Sequence, residues 1–344
     1  MTAATARQIA LASRPTGGRA SLSDFRLEEV PIPVPGEGQV LLRVDYLSLD
    51  PYMRGRMNDA RSYAKPAQIG EAMPGESVAT VLESNDATLP VGAQVLVSAG
   101  WVSHAVADAR DLSPLSAEGI ATRAYLGVLG MPGFTAYAGM AAIGKPKSGE
   151  TVVVGAASGP VGSLVGQLGK IAGARVVGIA GGAKKCSYVV DELGFDAAID
   201  HRAPDFADQL ANACPKGIDV YFENIGGAVW KAVLPLLNQY GRVPVCGLMA
   251  QTSGNNADAD DGLAATMRAI LTRSLTVRGY INYEFLPEYR DAFLRDVSGF
   301  LRAGQVKNLE DVTVGLENAP QAFLDMIDGR NFGKVLVRVS EDAA

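Results

Sequence analysis

Two kinds of hydrophobic pattern divide the chain. Up to about residue 128, apolar and polar residues alternate in short runs, and this alternation predicts half-buried β-strands. From about residue 129, short apolar runs alternate with segments whose apolar residues recur at helical spacing, which predicts βαβ units. The pattern therefore predicts an α/β protein that combines a β-rich domain with a doubly wound parallel sheet.

Short strands follow one another closely in the first part, and this spacing favours a small barrel. They are predicted at residues 7–12, 25–30, 39–49, 75–82, 94–97 and 101–106. Between two of these strands, residues 57–73 are polar and irregular, and a loop of this length is often the lid or wall of a functional site.

The second part alternates strands with helices. Strands are predicted at residues 151–154, 174–180, 217–224, 241–247, 275–281 and 334–339. Helices are predicted at 134–143, 160–172, 228–237, 263–271, 287–303 and 319–328, with a polar stretch at 251–262. The last strand is expected to rejoin the β-rich domain, so residues 1–128 with 304–344 form one predicted domain and 129–303 the other.

The stretch TVVVGAASGPVG, residues 151–162, connects a strand to a helix through small residues. Its spacing matches the dinucleotide motif G-x-G-x-x-G, with Ala157 in the first glycine position, followed by Gly159 and Gly162. A helix start presents free N–H groups and a favourable dipole to a phosphate, and Pro160 suits that first turn. The alternative is an ordinary strand-to-helix turn.

The end of the next strand distinguishes between two dinucleotides. An NAD site has an acidic residue about 20 positions after the glycines. Here the sequence is Gly181-Gly182-Ala183, followed by Lys184 and Lys185. The missing carboxylate and the two cations favour NADP(H), whose ribose carries a phosphate, although the lysines are also compatible with a solvated helix start.

Composition excludes several classes of protein. The net charge of −6 and the absence of a basic block argue against nucleic-acid or anionic-membrane binding. No apolar run approaches the ~20 residues of a membrane helix, and the N-terminal residues lack the apolar core of a signal peptide. Three scattered cysteines, Cys186, Cys214 and Cys246, favour a reduced, cytoplasmic protein.

Six motifs in order resemble one family. They are LSLDPYMR at 47–54, GMPGFTAY at 130–137, AASGPVG at 156–162, ELGFD at 192–196, YFENIGG at 221–227 and NFGK at 331–334. The chain resembles the zinc-free branch of the medium-chain dehydrogenase/reductase superfamily, which contains prostaglandin reductases, plant double-bond reductases and alkenal/one oxidoreductases. The resemblance implies a GroES-like substrate domain, a Rossmann domain, NADP(H) as cofactor and a homodimer.

The residues leave little room for a metal. A catalytic zinc takes three protein ligands and a structural zinc takes four cysteines. The chain contains two histidines, His104 and His201, and three cysteines without C-x₂-C spacing. We therefore predict that no metal takes part, and that the substrate is already electrophilic.

The family resemblance implies the reduction of a small apolar α,β-unsaturated aldehyde or ketone. Hydride adds to the β carbon, and negative charge develops on the carbonyl oxygen, which needs a hydrogen-bond donor. The family uses a tyrosine hydroxyl and a cofactor ribose hydroxyl. The candidates are Tyr283 and Tyr63, while Tyr52 is expected to pack near the nicotinamide. Water or the tyrosine would deliver the final proton.

The resemblance also implies which residues contact the cofactor. It implies that the pyrophosphate is bound by Ser158, Gly159, Pro160, Val161 and Gly162, and that the 2′-phosphate is bound by Lys185. Further contacts are implied for Met131, Thr135, Asn224, Cys246, Gly247, Leu248, Tyr280, Ile281, Asn282 and Asn331. The family usually has a tyrosine where this chain has His201, which either pairs with the 2′-phosphate or is a surface residue.

Two other functions remain open. Quinone reduction by the same fold also needs hydride and no metal. A protein that binds NADP(H) without catalysis, such as a redox sensor or a structural protein, would leave every acceptor unreduced, and the two tyrosines argue against it.

Overall fold

The computed structural model describes residues 5–16, 18–60, 62, 64–116, 119–252 and 262–341. The strands in that part of the chain are β1 Thr5–Leu11, β2 Phe25–Pro31, β3 Gln39–Ser48, β4 Ser77–Ser84, β5 Gln94–Val97, β6 His104–Asp108, β7 Thr151–Val154, β8 Arg175–Ala180, β9 Ala197–Asp200, β10 Ile218–Phe222, β11 Leu237–Val245, β12 Thr276–Gly279, β13 Glu310–Val314 and β14 Lys334–Arg338. The α-helices there are α1 Tyr52–Arg56, α2 Met131–Ala138, α3 Pro160–Ile171, α4 Ala183–Asp191, α5 Phe206–Ala213, α6 Gly227–Val233, α7 Met249–Thr252, α8 Leu263–Thr272, α9 Leu286–Arg302 and α10 Ala319–Ile327.

The chain divides into two compact units, Met1–Gly127 with Glu310–Ala344, and Val128–Leu309. The second boundary therefore falls at residue 310 rather than at the predicted 304. The physical reason is a pair of hydrogen bonds that ties Lys307 to α3: its N–H donates to Oε1 of Gln167 at 2.7 Å, and Nε2 of Gln167 donates to its carbonyl at 3.0 Å.

The first unit is organised by β3, which changes partner along its length. Residues Gln39 to Arg43 pair with β6, whereas Tyr46 to Ser48 pair with β14, both antiparallel. The sheet has the order β13-β14-β3-β4-β5, and β1 and β2 form a separate antiparallel pair. The terminal strand thus rejoins the first unit as the sequence predicts, and the strand set is that of a GroES-like domain.

An aromatic stack fills the core of this unit. Trp101 lies 5.6 Å from Phe25 and 5.6 Å from Phe323, measured between ring centroids. The predicted strand at 101–106 begins only at His104. The buried Trp101 instead takes part in the core, next to the isolated bridge between Val102 and Gln8.

The second unit contains a six-stranded parallel sheet with the order β12-β11-β10-β7-β8-β9. Its central strands are buried on both faces, as their β-branched runs predict. Numbered in chain order within this sheet, the strands have the Rossmann order 3-2-1-4-5-6. The strand order reverses between β7 and β10, while all strands stay parallel. Ligands of such sheets bind at the carboxyl ends of the strands at this switch point.

Several predicted boundaries differ from the structure. The helix predicted at 228–237 ends at Val233, because Pro235 has no N–H to continue an α-helix, and β11 already begins at Leu237. The helix predicted from 134 begins at Met131, with Pro132 in its first turn. Helix α1 lies in a segment for which no helix was predicted.

Most of the polar stretch predicted at 251–262 lies outside the described residues, apart from the end of α7 and Gly262. In the described residues, no helix combines the length and the apolar character that are needed to span a membrane.

Candidate cofactor site and active site

The loop after β7 has the geometry of a phosphate cradle. Gly159 donates its N–H to the carbonyl of Ala156 at 2.9 Å, and α3 starts at Pro160. Ala156 has a positive φ of 52°, which closes the turn tightly. A Cβ at Gly162 would lie 2.4 Å from the Ala156 carbonyl oxygen, so only glycine lets α3 pack this closely on the loop. The N–H groups of the first turn of a helix have no partner within the helix, so this helix start suits an anion.

The alanine in the first glycine position also has a structural explanation. The side chain of Ala157 is fully buried and points at β8. A Cβ at Gly178 of β8 would lie 2.8 Å from the Cβ of Ala157. The side chain of Ala157 therefore fits because Gly178, on the neighbouring strand, has no Cβ. The motif alone does not reveal this compensation.

The carboxyl end of β8 is strongly basic. Helix α4 begins at Ala183, so Lys184 and Lys185 belong to its first turn. From the adjacent end of β9, the Nε2 atom of His201 and the guanidinium of Arg202 approach Gly181: a Cβ there would lie 3.0 Å and 3.3 Å from them. The structure thus brings the two predicted residues Lys185 and His201 to one strand end.

Arg202 is the functional candidate that sequence reasoning missed. The sequence shows only that Arg202 follows His201; the parallel pairing of β9 with β8 brings both residues close to Gly181. The carboxylate of Asp200 lies at the end of β9 and is not among the residues that follow β8. It accepts backbone hydrogen bonds from Gly182 and Arg202, which lower its pKa.

A second group of side chains lies after β10 at the switch point. The amide of Asn224 donates from Nδ2 to the carbonyl of Gly155 at 2.8 Å and accepts at Oδ1 from the thiol of Cys246 at 2.8 Å. It therefore joins the loops that follow β7, β10 and β11. This use of the amide makes Asn224 a positioning residue of the cofactor loop.

The buried carboxylate of Glu223 stabilises the loop that follows β10. It accepts hydrogen bonds from the hydroxyl of Tyr221 at 3.0 Å and from the N–H groups of Ile225 at 2.6 Å and Gly226 at 2.8 Å. Burial raises its pKa. Burial, and then Glu223, raise the pKa of the Cys246 thiol to about 12, so the thiol is protonated at neutral pH and acts as a donor.

Four predicted residues meet where α2 crosses the carboxyl end of the sheet. The hydroxyl of Tyr280 donates to the carbonyl of Thr135 at 2.7 Å, and Nδ2 of Asn282 donates to Oγ1 of Thr135 at 3.1 Å. Oγ1 of Thr135 donates in turn to the carbonyl of Met131 at 2.8 Å. A Cβ at Gly139 would lie 2.4 Å from the Tyr280 hydroxyl, which explains the glycine at this close approach.

The two tyrosines of this region differ in environment. Tyr280 is 6% exposed, and its hydroxyl is used inside the protein. Tyr283 is 56% exposed, on the short 3₁₀ turn Asn282–Phe285. Three more predicted residues lie here. The N–H of Ile281 donates to the carboxylate of Glu284 at 3.0 Å, and the N–H of Gly247 donates to the backbone carbonyl of Glu223 at 3.3 Å. Leu248 is exposed.

Three predicted residues belong to the first unit. Tyr52 lies on α1 with the guanidinium of Arg56 5.7 Å from its ring centroid. Asn331 donates from Nδ2 to the carbonyl of Gly333 at 2.9 Å. Tyr63 lies outside the described residues.

Among the residues that the structure describes, no group of three or more His, Cys, Asp or Glu side chains is placed to hold a metal ion. His104 shares a hydrogen bond with the hydroxyl of Ser103, and His201 faces Gly181.

Comparison with known proteins gives the class of this protein. The family models "N-terminal domain of oxidoreductase" and "Zinc-binding dehydrogenase" match residues 7–115 and 160–298. The Rossmann switch point, the glycine turn and these matches agree. The chain belongs to the medium-chain dehydrogenase/reductase family, in the branch of the prostaglandin and 2-alkenal reductases.

Individual relatives cover almost the whole chain. It is 49% identical to the NADPH-dependent curcumin reductase of Escherichia coli over 337 residues, which are 98% of this chain and 97% of that protein. It is 38% identical to the NADP⁺-dependent 2-alkenal reductase of Nicotiana tabacum, over 93% of this chain and 94% of that protein. The crystal structure of CurA from Vibrio vulnificus in complex with NADPH superposes with a TM-score of 0.94 at 46% identity, over 97% and 99% of the two chains.

Proposed function

We propose that this protein reduces the C=C bond of α,β-unsaturated aldehydes and ketones with NADPH. It is an NADP-dependent oxidoreductase, and NADP(H) is its cofactor. Curcumin and 2-alkenals, which the names of two relatives contain, both have a C=C bond conjugated to a carbonyl. This shared chemistry supports the substrate class for the present chain.

The residues present fit the cofactor. The glycine turn before α3 leaves room that a Cβ at Gly162 would close, and its helix start suits a pyrophosphate. At the end of β8, the basic group around Gly181 suits a 2′-phosphate. The group formed by Thr135, Tyr280 and Asn282 lies at the carboxyl edge of the sheet, where such sheets bind their ligands.

When bound, the cofactor would supply a hydride for the β carbon of the substrate. A proton from water or a side chain would then be added to the α carbon, which gives the saturated carbonyl compound. The protein has to stabilise the negative charge that develops on the carbonyl oxygen. A tyrosine hydroxyl is a suitable donor when it is available to the substrate. Tyr283 is the candidate among the described residues, and we assign it this role.

The observation that carries the proposal is the contrast between Tyr280 and Tyr283. The buried hydroxyl of Tyr280 is committed to the Thr135 carbonyl and holds the turn in place. The neighbouring Asn282 is held by Thr135, so the exposed hydroxyl of Tyr283 lies on a turn with a fixed base. A donor on a rigid support is what oxyanion stabilisation requires.

The test is cofactor oxidation with three acceptors in parallel. NADPH absorbance is followed with a simple enal, a simple enone and a quinone, and NADH is assayed beside it; the products are identified by mass spectrometry. We expect turnover of the enal or enone to the saturated carbonyl. Turnover of the quinone alone would assign the protein to quinone reductases. Tight NADPH binding without any turnover would identify a non-catalytic binding protein.

A further inference from the structure

Two basic side chains that directly follow β9 lie close to Gly181, at the end of β8. The imidazole Nε2 of His201 and the guanidinium of Arg202 would lie 3.0 Å and 3.3 Å from a Cβ at this position. We infer that His201 and Arg202 together form the seat of the adenosine 2′-phosphate, and that His201 takes up a proton when the phosphate binds. Preference for NADPH over NADH then increases as the pH falls. The inference rests on the proposed use of NADP(H).

The geometry gives Arg202 the larger share of the binding energy. A guanidinium offers a planar fork of donors that matches phosphate oxygens, and it is charged at every relevant pH. The nearest carboxylate, Asp200, accepts the N–H of Arg202 at 3.0 Å and a backbone N–H from Gly182. It is thus engaged by the backbone of the turn that presents the two basic side chains.

The charges around His201 determine its protonation in the free protein. Partial burial lowers the pKa of the imidazole most, followed by the positive charge of Arg202, whereas Asp200 raises it and Lys185 of α4 lowers it. Cys186 of α4 also lies near Asp200; burial and then the charge of Asp200 raise the pKa of its thiol, so it adds no charge at neutral pH. The free imidazole is therefore neutral at pH 7 and above.

A bound phosphate reverses this balance. Its ~2 negative charges at pH 7 offset Arg202 and Lys185 and favour the protonated ring. The pKa of His201 is then higher in the complex than in the free protein. By linkage, affinity is greatest below the free pKa and declines as the pH rises to the pKa of the complex. Ionisation of the phosphate itself, near pH 6, acts in the opposite direction.

The experiment separates these two ionisations with ligands that lack nicotinamide. Adenosine 2′,5′-bisphosphate and 5′-AMP, which differ by the 2′-phosphate, are titrated calorimetrically into the full chain. Buffers of different ionisation enthalpy give the number of protons taken up. Wild type is compared with His201→Gln, Arg202→Gln and Lys216→Gln. Lys216 is an exposed residue just before β10, at the amino ends of the parallel strands and away from their carboxyl ends.

Three results are expected. Wild type takes up more protons than His201→Gln on binding the bisphosphate at pH 7, and between pH 8.5 and 6 its affinity gains on the variant by ~3–10-fold. Arg202→Gln weakens bisphosphate binding by ~10–100-fold at every pH and leaves 5′-AMP unchanged. Lys216→Gln resembles wild type throughout. Thermal unfolding of each variant verifies that it is folded.

Equal proton uptake by wild type and His201→Gln would overturn the inference, as would an Arg202→Gln variant with unchanged bisphosphate affinity. Equal affinity of the wild type for the two nucleotides would overturn it together with the NADP(H) assignment. Enone turnover is read separately: its absence, with the expected proton uptake intact, would support the phosphate seat and reject only the reductase proposal.

Discussion

The candidate catalytic hydroxyl is defined by the contrast between two tyrosines three positions apart. Tyr280 packs against Phe222 and Phe285, with ring centroids 6.5 Å and 5.7 Å away, and burial raises its hydroxyl pKa. Its deletion would remove a buried hydrogen bond, so that position serves the structure. The exposed Tyr283 has no such structural task, and its removal tests catalysis more cleanly.

We predict that Tyr283→Phe lowers kcat for an enone by ~10–100-fold, because one hydrogen bond to a developing oxyanion is worth ~1.5–3 kcal/mol. NADPH affinity and thermal stability should stay unchanged. Tyr240→Phe is the matched control, since Tyr240 is also exposed but lies in the amino-terminal half of β11, away from the carboxyl edge. Unchanged kinetics in Tyr283→Phe would transfer the role to Tyr63 or to the cofactor ribose.

A pair of helical glycines tests the phosphate loop. We predict that Gly162→Ala destabilises the fold by ~1–3 kcal/mol and weakens NADPH binding, because its Cβ would lie 2.4 Å from the Ala156 carbonyl. Gly299→Ala in α9 meets no atom within 4 Å and should be neutral or stabilising by up to ~1 kcal/mol. Denaturant unfolding and NADPH titration measure both effects; equal behaviour of the two variants would contradict the prediction.

At the scale of elements, the sequence pattern predicted the strands and helices whose formation depends on neighbouring residues. The strand, turn and helix at 151–171 follow from a β-branched run, small residues and helical periodicity, and they appear as β7 and α3. The terminal strand was also correctly assigned to the β-rich unit. The predicted end of α6 at residue 237 was wrong, since the helix ends at Val233. The apolar residues after Val233 continue the helical spacing, but Pro235 has no N–H for the next α-helical hydrogen bond.

The site was predictable only where one motif carries it. Lys185 and His201 lie near each other, in the first turn of α4 and directly after β9, and their contact with the phosphate stays a prediction. Arg202 was missed because its approach to Gly181 depends on the pairing of β8 with β9, which no single segment reveals. The links among Asn224, Cys246 and Gly155 likewise arise from three loops that only the sheet order brings together.

A buried ionic group joins three strands of the first unit. Nζ of Lys334, at the start of β14, donates to Oδ1 of Asp50 at 2.6 Å and to the carbonyl of Leu49 at 2.8 Å, and both side chains of the ion pair are buried. Glu76, just before β4, faces this pair. Burial first, then the charge of Asp50, raise the pKa of Glu76 to about 7, while Lys334 opposes them.

This arrangement predicts a pH-dependent stability. Since the pKa of Glu76 is higher in the folded protein than in the unfolded chain, the folded state favours the protonated carboxyl. Stability from this group is complete below about pH 4.5 and is lost as the pH rises to about 7. We predict that Glu76→Gln removes this loss and is more stable than wild type at pH 8 by ~1–3 kcal/mol.

Denaturant unfolding at pH 5 and pH 8 measures the effect. Glu83→Gln is the control, because Glu83 lies on the same strand β4 but is exposed, with no large change expected. Parallel pH curves for wild type and Glu76→Gln would show that Glu76 ionises normally in the folded protein.

At the scale of the whole molecule, the described part of the second unit exposes an apolar helix face beside the terminal strand of its sheet. Strand β12 is the terminal strand of the six-stranded sheet, and all four of its residues are exposed. Helix α8, which precedes it, exposes Leu263, Met267 and Leu271 at intervals of four residues, so they share one face. Exposed apolar patches next to a free strand edge are typical of association sites.

We predict that the homodimer implied by the family resemblance forms through β12 and α8 about a two-fold axis. Antiparallel pairing of β12 with its copy would join the two six-stranded sheets and bury the α8 face, a self-complementary contact.

We predict that Leu271→Glu, at a side chain that is 80% exposed in the single chain, raises the dimer dissociation constant ~100-fold or more, because it places one charge per copy in an apolar contact. Light scattering after size exclusion should then change from twice 35.9 kDa to 35.9 kDa. Val91→Glu, at an exposed apolar residue of the first unit, is the control and should leave the mass unchanged. If Leu271→Glu keeps the wild-type mass, the copies associate through another surface or not at all.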